Sequence, residues 1–363
     1  MTKRTTKQYS LGYFNLARGL GFLFVLAGHS LTLFYADPDS TAALPVFGGT
    51  GWILGAGIMA MFFMISGFYF YRRSPWKCVK MQARLLLKPY FMTALAIIAV
   101  TWVRFYLKGF DFSKKGMELL LTYGLGFNAV HGEKFLGYPI GTISIFWFVL
   151  ALFLGWILFN MICWLPARGQ RIACVCSFVL LSWDLSVLSS VWPWSIHTGF
   201  LAVGYIAVGY MIRKYDLLNK QIPVWVWLIL GSVSLFCMAF GFVDIVPGIW
   251  LLGPLDVLGS FCVGFLLMRT YSRLMERGIG AKGLGVVDLM GLNSIWFLCI
   301  HAFEKALIPW KTLSIYFPDR PMLCAAICFV GRLAVILVCF SLLVFIRRLV
   351  RRSRIPKVTL TKE

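Results

Sequence analysis

The sequence predicts an all-α polytopic membrane protein with about ten transmembrane helices and both termini in the cytoplasm. Its 363 residues are 60% hydrophobic and 13% charged, and the mean hydropathy is +0.81. Soluble domains carry about twice that share of charged residues. Apolar runs of about 17 to 25 residues recur along the chain, separated by breaks that contain charges, Gly or Pro, and each run is long enough to cross a bilayer as a helix.

These runs define ten predicted spans, of which the first contains two ionisable residues and the sixth is the shortest. In chain order the predicted spans are 13–34, 53–71, 85–106, 143–164, 172–190, 198–212, 222–242, 249–268, 286–303 and 323–345.

Lys and Arg are concentrated in alternate connections, and this pattern predicts the orientation because cytoplasmic loops carry the excess of basic residues. One set of connections holds about 25 of these residues and the other about 8. We therefore expect a membrane domain of residues 1–346 and a basic cytoplasmic tail, 347–363, that lies on anionic headgroups. This orientation directs the histidines towards the extracytoplasmic side. They are His29, His131, His197 and His301.

Composition also excludes several classes of function. The net charge is +21, but the basic residues are scattered between apolar runs, so no basic domain forms a face for nucleic acid. The ten cysteines lie mostly inside apolar runs without CxxC pairs, which indicates small core residues and predicts no metal site. The N-terminus, MTKRTTKQ before an apolar run, is similar to a secretory signal, but the embedded Arg18 and the later spans favour a retained first helix.

The first span is the most informative segment because it carries Arg18 and His29 inside an apolar run. An ionisable group in a span costs several kcal/mol unless it is paired or hydrated, so two in one helix indicate function. Eleven residues separate them, which places them within about 20° on one helix face and roughly 16 Å apart along the axis. The structural alternatives are that Arg18 extends to headgroups and that His29 makes an interhelical hydrogen bond.

Four other residues in or near spans are candidates. His301 and Glu304 are three residues apart and share a helix face, so Glu304 could orient or charge a second imidazole, or the two could form an interfacial ion pair. Asp256 and Arg332 would be costly alone inside spans, so we predict that they pair with each other.

The longest extracytoplasmic segment, 108–141, is the candidate acceptor loop. His131 and Glu133 in it could contact an acceptor, although a solvated loop is the simpler interpretation. Its first part predicts a short interfacial helix with Leu119, Leu120 and Tyr123 on one side. The charged side of that helix would carry Lys114, Lys115 and Glu118.

Four motifs, in order along most of the chain, resemble acyltransferase family 3, a family of membrane enzymes that acylate surface glycans and related acceptors. Arg18, ten intervening residues and His29 resemble its first-helix signature. Three further stretches carry the resemblance: FFMISGFYFYRR (62–73) followed by ARLLLKPY (83–90), FWFVLALFLG (146–155), and GLNSIWFLCIH (291–301). Many members carry a fused extracytoplasmic SGNH hydrolase-like domain, for which the chain leaves no residues. We expect a stand-alone form, in which transfer is completed in the membrane domain or on a separate partner.

The resemblance implies a multi-pass protein of the cell membrane with no bound cofactor. It would transfer an acyl group, most simply acetyl, from cytoplasmic acyl-CoA as co-substrate. The acceptor would be a hydroxyl of an extracytoplasmic or lipid-linked glycan. The donor's phosphates would lie on the basic residues near the inner surface, since guanidinium groups bind phosphate bidentately. His29 would act as general base, or would itself be acylated. The expected donor-binding residues are Arg18, Arg72, Arg73, Arg84, Lys88 and Ser294.

Two alternatives remain at this point. The first is a transporter or flippase of a glycan or small metabolite, in which Arg18 and His29 form a substrate or proton pathway. Paired discontinuous helices would favour it. The second is a catalytically idle membrane module of a larger assembly.

Overall fold

The computed structural model describes residues 12–35, 52–129, 132–189, 191–245, 248–278 and 284–353. These residues form a bundle of helices with two short hairpins, which confirms an all-α membrane protein. In the described ranges, six helices are long and apolar enough to cross a membrane, and a sharply bent pair would make a seventh. The count of ten spans and the position of both termini stay predictions.

The helices are α1 (Asn15–Tyr35), α2 (Ile58–Phe68), α3 (Pro75–Gln82), α4 (Lys88–Leu107), α5 (Ser113–Leu125), α6 (Trp147–Ile162), α7 (Arg168–Leu188), α8 (Ile196–Lys214), α9 (Val224–Phe240), α10 (Pro254–Glu276), α11 (Gly285–Leu292), α12 (Ser294–Leu307), α13 (Leu313–Tyr316) and α14 (Pro321–Ser353). Two antiparallel hairpins pair β1 (Lys134–Phe135) with β2 (Tyr138–Pro139), and β3 (Val243–Asp244) with β4 (Ile249–Trp250). Single π-helical turns precede α2 and α4, at Ile53–Gly57 and Ala83–Leu87.

Each of the ten predicted spans contains a helix, but five differ from the prediction. The second and seventh are short apolar helices, Gly55–Phe68 and Val224–Phe240. The eighth, α10, is 23 residues long but is less apolar than the six membrane-spanning candidates, because its second half contains charged and polar residues. The sixth is longer than predicted, since its helix runs through Pro193–Lys214 and lies mostly inside the bundle.

The ninth predicted span is not one straight helix. It consists of α11 and α12, which meet at an angle of 86°. Asn293 lies between them with non-helical dihedral angles, and both its backbone N–H and its side-chain amide donate to the Leu289 carbonyl at the end of α11. Hydrophobicity alone did not distinguish this bend from a continuous span.

The main core is built by α2, α6 and α8, packed with α7 and α10. Glycines allow α2 and α8 to pack backbone to backbone, because a side-chain carbon at Gly67 would overlap Ile206 and one at Gly209 would overlap Met64. Close approach through small residues is how helices associate where lipid gives no hydrophobic driving force.

A second unit packs α1 against α11, α12 and α14. A Cβ atom at Gly19 would overlap the carbonyl of Val287, and one at Gly291 would overlap the carbonyl of Asn15. The early turns of α1 therefore lie directly on α11, while its later turns face α12 and α14. The apolar cluster that seals this unit contains Phe22, Leu26, Met290, Phe297, Ile300, Ile336 and Phe340.

A helix is present at the predicted position as α5, and its place at the interface stays a prediction. Leu119 and Tyr123 pack on the main core, whereas Leu120, predicted to lie on the same side, is exposed. The helix begins where the Ser113 hydroxyl and backbone N–H both donate to the Asp111 carboxylate, and these hydrogen bonds lower the pKa of Asp111.

Candidate functional site

The structure brings His29 and His301 together. His29 lies three turns along α1 from Arg18 and is half-buried, and His301 lies on α12, fully buried. Their ring centroids are 5.6 Å apart with the ring planes at 45°. Phe22 contacts the His301 ring edge-on at 6.1 Å, so an apolar ring closes one side of the pair.

A carboxylate lies behind His301. Nδ1 of His301 is 2.6 Å from Oε1 of Glu304, and both side chains are about 1% exposed. The second carboxylate oxygen accepts a hydrogen bond from the Trp310 indole. The absence of a side chain at Gly331 leaves room for that indole against α14. A carboxylate beside Nδ1 favours the neutral tautomer that carries its proton on Nδ1, and in that tautomer Nε2 presents a lone pair.

Arg332 on α14 is the ionic partner of Glu304, with Nε 3.6 Å from Oε1. The predicted pairing of Arg332 with Asp256 is therefore wrong. Asp256, in the first turn of α10, instead accepts hydrogen bonds from the Trp52 indole at 3.1 Å and from the Leu252 backbone at 2.8 Å. Each of these two buried groups has its nearest polar partners elsewhere in the bundle, which the sequence pattern could not reveal.

We call His29, His301, Glu304, Lys305 and Arg332 the histidine cluster. Lys305, His301 and Arg332 are the titratable groups close enough to His29 to act on it electrostatically. Three buried nitrogens of the cluster have no hydrogen-bond partner among the described residues: His301 Nε2, Arg332 Nε and Arg332 Nη1. Sequence reasoning missed the roles of Lys305, Trp310 and Arg332, although the i,i+4 spacing of His301 and Lys305 was a usable signal.

Arg18 lies at the other end of α1. Its guanidinium carbon is 5.3 Å from the centre of the Tyr69 ring, just after α2, and no carboxylate pairs with it within the described ranges. A guanidinium held over an aromatic face keeps its in-plane donors available. One helix thus presents a cation at one end and an imidazole at the other, about 16 Å apart.

The segment after α2 carries further arginines. Arg72 lies over the Trp164 ring at 4.8 Å, and the Arg73 backbone is held by the Asn160 amide. Arg213 at the end of α8 donates to the Phe70 carbonyl and lies 4.2 Å from the Tyr71 ring centre. Sequence reasoning used Arg213 only for topology, and its place beside the 69–73 segment is a structural finding.

The remaining predicted site residues are dispersed. Arg84 and Lys88 are exposed, near the junction of α3 and α4, and make no polar contact with Arg18. Ser294 is half-buried at the first position of α12, immediately after the bend. Glu133 precedes β1, where its carbonyl accepts from Ile140. His131 lies outside the described residues.

The fold and the cluster define a helical membrane protein with two adjacent histidines inside the bundle. The family model described as an acyltransferase domain matches residues 11–346, so the chain belongs to acyltransferase family 3. It is a membrane acyltransferase. No curated protein and no solved structure gave a significant match to the chain.

Proposed function

We propose that the protein transfers an acyl group, most simply acetyl, from cytoplasmic acyl-CoA to a hydroxyl of an extracytoplasmic or lipid-linked glycan at the cell membrane. The observation that carries the proposal is the pairing of His29 with His301, backed by Glu304, on a helix whose other end presents Arg18. Acyl transfer from a phosphate-bearing donor requires a group that accepts a proton and a group that binds the phosphates, and α1 carries a candidate for each.

The donor would be held at the Arg18 end. Guanidinium groups bind phosphate oxygens bidentately, and Arg18, Arg72 and Arg73 all lie around the segment that follows α2. Arg213 is a further candidate there, because its Nη1 is buried without a hydrogen-bond partner in the described part of the chain. The flexible arm of CoA separates its phosphates from its thioester, in keeping with the separation of Arg18 from His29.

The chemistry would take place at the histidine cluster. In one route the lone pair of a neutral imidazole accepts the proton of the acceptor hydroxyl while its oxygen attacks the thioester carbon. The C–S bond then breaks, and the imidazolium returns the proton to the leaving CoA thiolate, so the products are an ester and free CoA. In the other route His29 attacks the thioester carbon and the C–S bond breaks, which releases CoA. His301 then accepts the proton of the acceptor hydroxyl, whose oxygen displaces the imidazole of His29 and forms the same ester.

Glu304 fits the role of orienting group in both routes. A carboxylate bonded to Nδ1 fixes the tautomer and stabilises the imidazolium that forms, which is the logic of base and orienter pairs. Either histidine can be the first proton acceptor on this geometry. The proposal requires only that both act at one reacting centre.

The test supplies acetyl-labelled acetyl-CoA to the cytoplasmic face of membrane vesicles and measures label in extracted glycan and lipid-linked saccharide. We expect label with the unsubstituted chain and with Thr32→Val, and none with His29→Ala. Thr32 is a matched control because, among the described residues, its hydroxyl donates within α1 to the Gly28 carbonyl. Equal labelling by His29→Ala would overturn the assignment.

A transporter or flippase is the second candidate, and the bent pair α11 and α12 favours it, since discontinuous helices form many transport sites. The discriminating measurement is counterflow of labelled saccharide in protein-containing liposomes without acyl-CoA. Saccharide movement by the unsubstituted chain that is lost in His29→Ala, with no ester formed, would favour transport over acyl transfer.

A further inference from the structure

The histidine cluster contains more positive than negative charge. Arg332 is 1% exposed and Lys305 is half-buried, while Glu304 is the one carboxylate that faces them among the described residues. A buried cation inside a span is costly unless an anion compensates it. One positive charge of the cluster is left for a partner that the described part of the chain does not supply.

The hydrogen bonds of the cluster also indicate that two donors of Arg332 lack a partner in the described part of the chain. Both oxygens of Glu304 are engaged by groups other than Arg332: Oε1 by His301 and Oε2 by Trp310. The Nε of Arg332 is 3.6 Å from Oε1, which is an ionic contact but too long for a hydrogen bond. Nε and Nη1 of Arg332 are therefore buried donors without an acceptor among the described residues. Such donors are costly unless a ligand or water satisfies them.

Both cations lie beside the reacting pair. Lys305 follows His301 by four residues and so shares its face of α12. Cys328, one turn before Arg332 on α14, contacts Ser30, the neighbour of His29 on α1. The two cations reach the histidines from different helices, and an anion between them would be adjacent to both imidazoles.

The source of that anion follows from the chemistry of the two substrates. The donor's phosphates are assigned to the Arg18 end, about 16 Å away along α1, and a thioester is neutral. The group left to supply a permanent negative charge beside His29 is the acceptor.

We infer that Lys305 and Arg332 form an anion-binding site for a carboxylate or phosphate of the acceptor, so that the acceptor is an acidic saccharide. This inference rests on the proposed acyl transfer, whose substrate class it narrows. The site orients the sugar by its charge and leaves a neighbouring hydroxyl against the histidines.

The test measures binding without turnover. Purified protein is heated with D-glucuronate, D-glucose 6-phosphate or neutral D-glucose, and the unfolding midpoint is followed by Trp fluorescence. We expect the two anions to raise the midpoint by about 2 °C or more near saturation, and glucose to leave it unchanged. No shift with either anion, or an equal shift with glucose, would overturn the inference.

Substitutions of individual cations test whether the anions bind at Lys305 and Arg332. The anion shift should be lost in Lys305→Gln and in Arg332→Gln, and kept in Lys311→Gln, which removes an exposed charge nearby. Lys305→Gln is the decisive variant because a half-buried residue tolerates the change better than Arg332. The shift should also persist in Arg18→Gln, and its loss there alone would mean that the anions bind at the donor end.

The experiments distinguish failure of the acidic-acceptor inference from failure of the proposed acyl transfer. Loss of anion binding with intact ester formation would remove the acidic acceptor and leave acyl transfer standing. A Lys305→Gln variant that lowers ester formation equally with charged and neutral sugars would assign the cations to the transient oxyanion instead, and that result contradicts the inference.

Discussion

The two histidines differ in what surrounds their ring nitrogens. His301 has a carboxylate at Nδ1 and a lone pair without a partner at Nε2, while His29 has no carboxylate within the described residues and is more open. The first-helix histidine was predictable, because an ionisable residue in an apolar run stands out. Its partner was predictable only as a possible second site, since no sequence pattern states which helices meet.

Glu304→Gln tests the orienting role. The amide keeps the size and can still accept a hydrogen bond from Nδ1, but it removes the charge that stabilises the imidazolium. We expect turnover to fall about 10- to 100-fold with little change in the KM for acyl-CoA. The control is Glu276→Gln, which breaks a surface ion pair with Arg273. An unchanged rate in Glu304→Gln would remove the carboxylate from the mechanism.

Arg18→Ala tests the donor end. Loss of a charge-assisted contact to phosphate should raise the KM for acyl-CoA about 10- to 100-fold, because such bonds contribute about 1.5 to 3 kcal/mol. Arg18→Lys should recover part of the affinity, since an ammonium keeps the charge but not the bidentate geometry. Arg168→Ala, at an exposed position, serves as control. A normal dependence on acyl-CoA in Arg18→Ala would exclude phosphate binding there.

At the scale of elements, α1 is positioned by backbone contact with α11. The tightest approach is at Gly291, where a side chain would overlap the carbonyl of Asn15, three residues from Arg18. We expect Gly291→Ala to lower the unfolding midpoint by several degrees despite the higher helix propensity of Ala, because the two helices must separate. Heating the purified variants measures the effect.

Gly231→Ala is the matched control, since Gly231 lies inside α9 with no atom near the added carbon. There Ala should stabilise by about 0.5 to 1 kcal/mol through propensity alone. Equal stability of the Gly291 and Gly231 variants would contradict the packing described for α1.

The bend between α11 and α12 could not be predicted from hydropathy. Hydropathy found the apolar residues of 286–303 but treated them as one helix, since Gly291 and Asn293 are each tolerated in transmembrane helices. Helix existence follows from local sequence, whereas helix direction depends on tertiary contacts.

For the whole molecule, the family and the all-α class follow from sequence motifs and hydropathy, whereas the number of spans does not. The second and seventh runs form helices shorter than a bilayer-spanning helix, and α10 is polar in its second half. A helix that is buried among other helices need not be uniformly apolar. The number of spans from hydropathy therefore differs from the number of long apolar helices in the structure.

The predicted orientation is tested by accessibility of introduced cysteines. Leu136→Cys, in the exposed β1–β2 hairpin, should react with a membrane-impermeant maleimide added to intact cells. Lys220→Cys, exposed between α8 and α9, should react only after permeabilisation. The unsubstituted chain corrects for its native cysteines. The reverse labelling pattern would invert the orientation.

The central claim is that transfer of the acyl group from acyl-CoA requires His29. The most direct measurement follows release of free CoA thiol from acetyl-CoA by purified protein in liposomes supplied with extracted surface glycan. We predict turnover that falls at least about 100-fold in His29→Ala and is kept in Thr32→Val, with or without a labelled protein intermediate. Undiminished CoA release by His29→Ala, or none from the unsubstituted chain with acetyl-CoA and longer acyl-CoA, would contradict it.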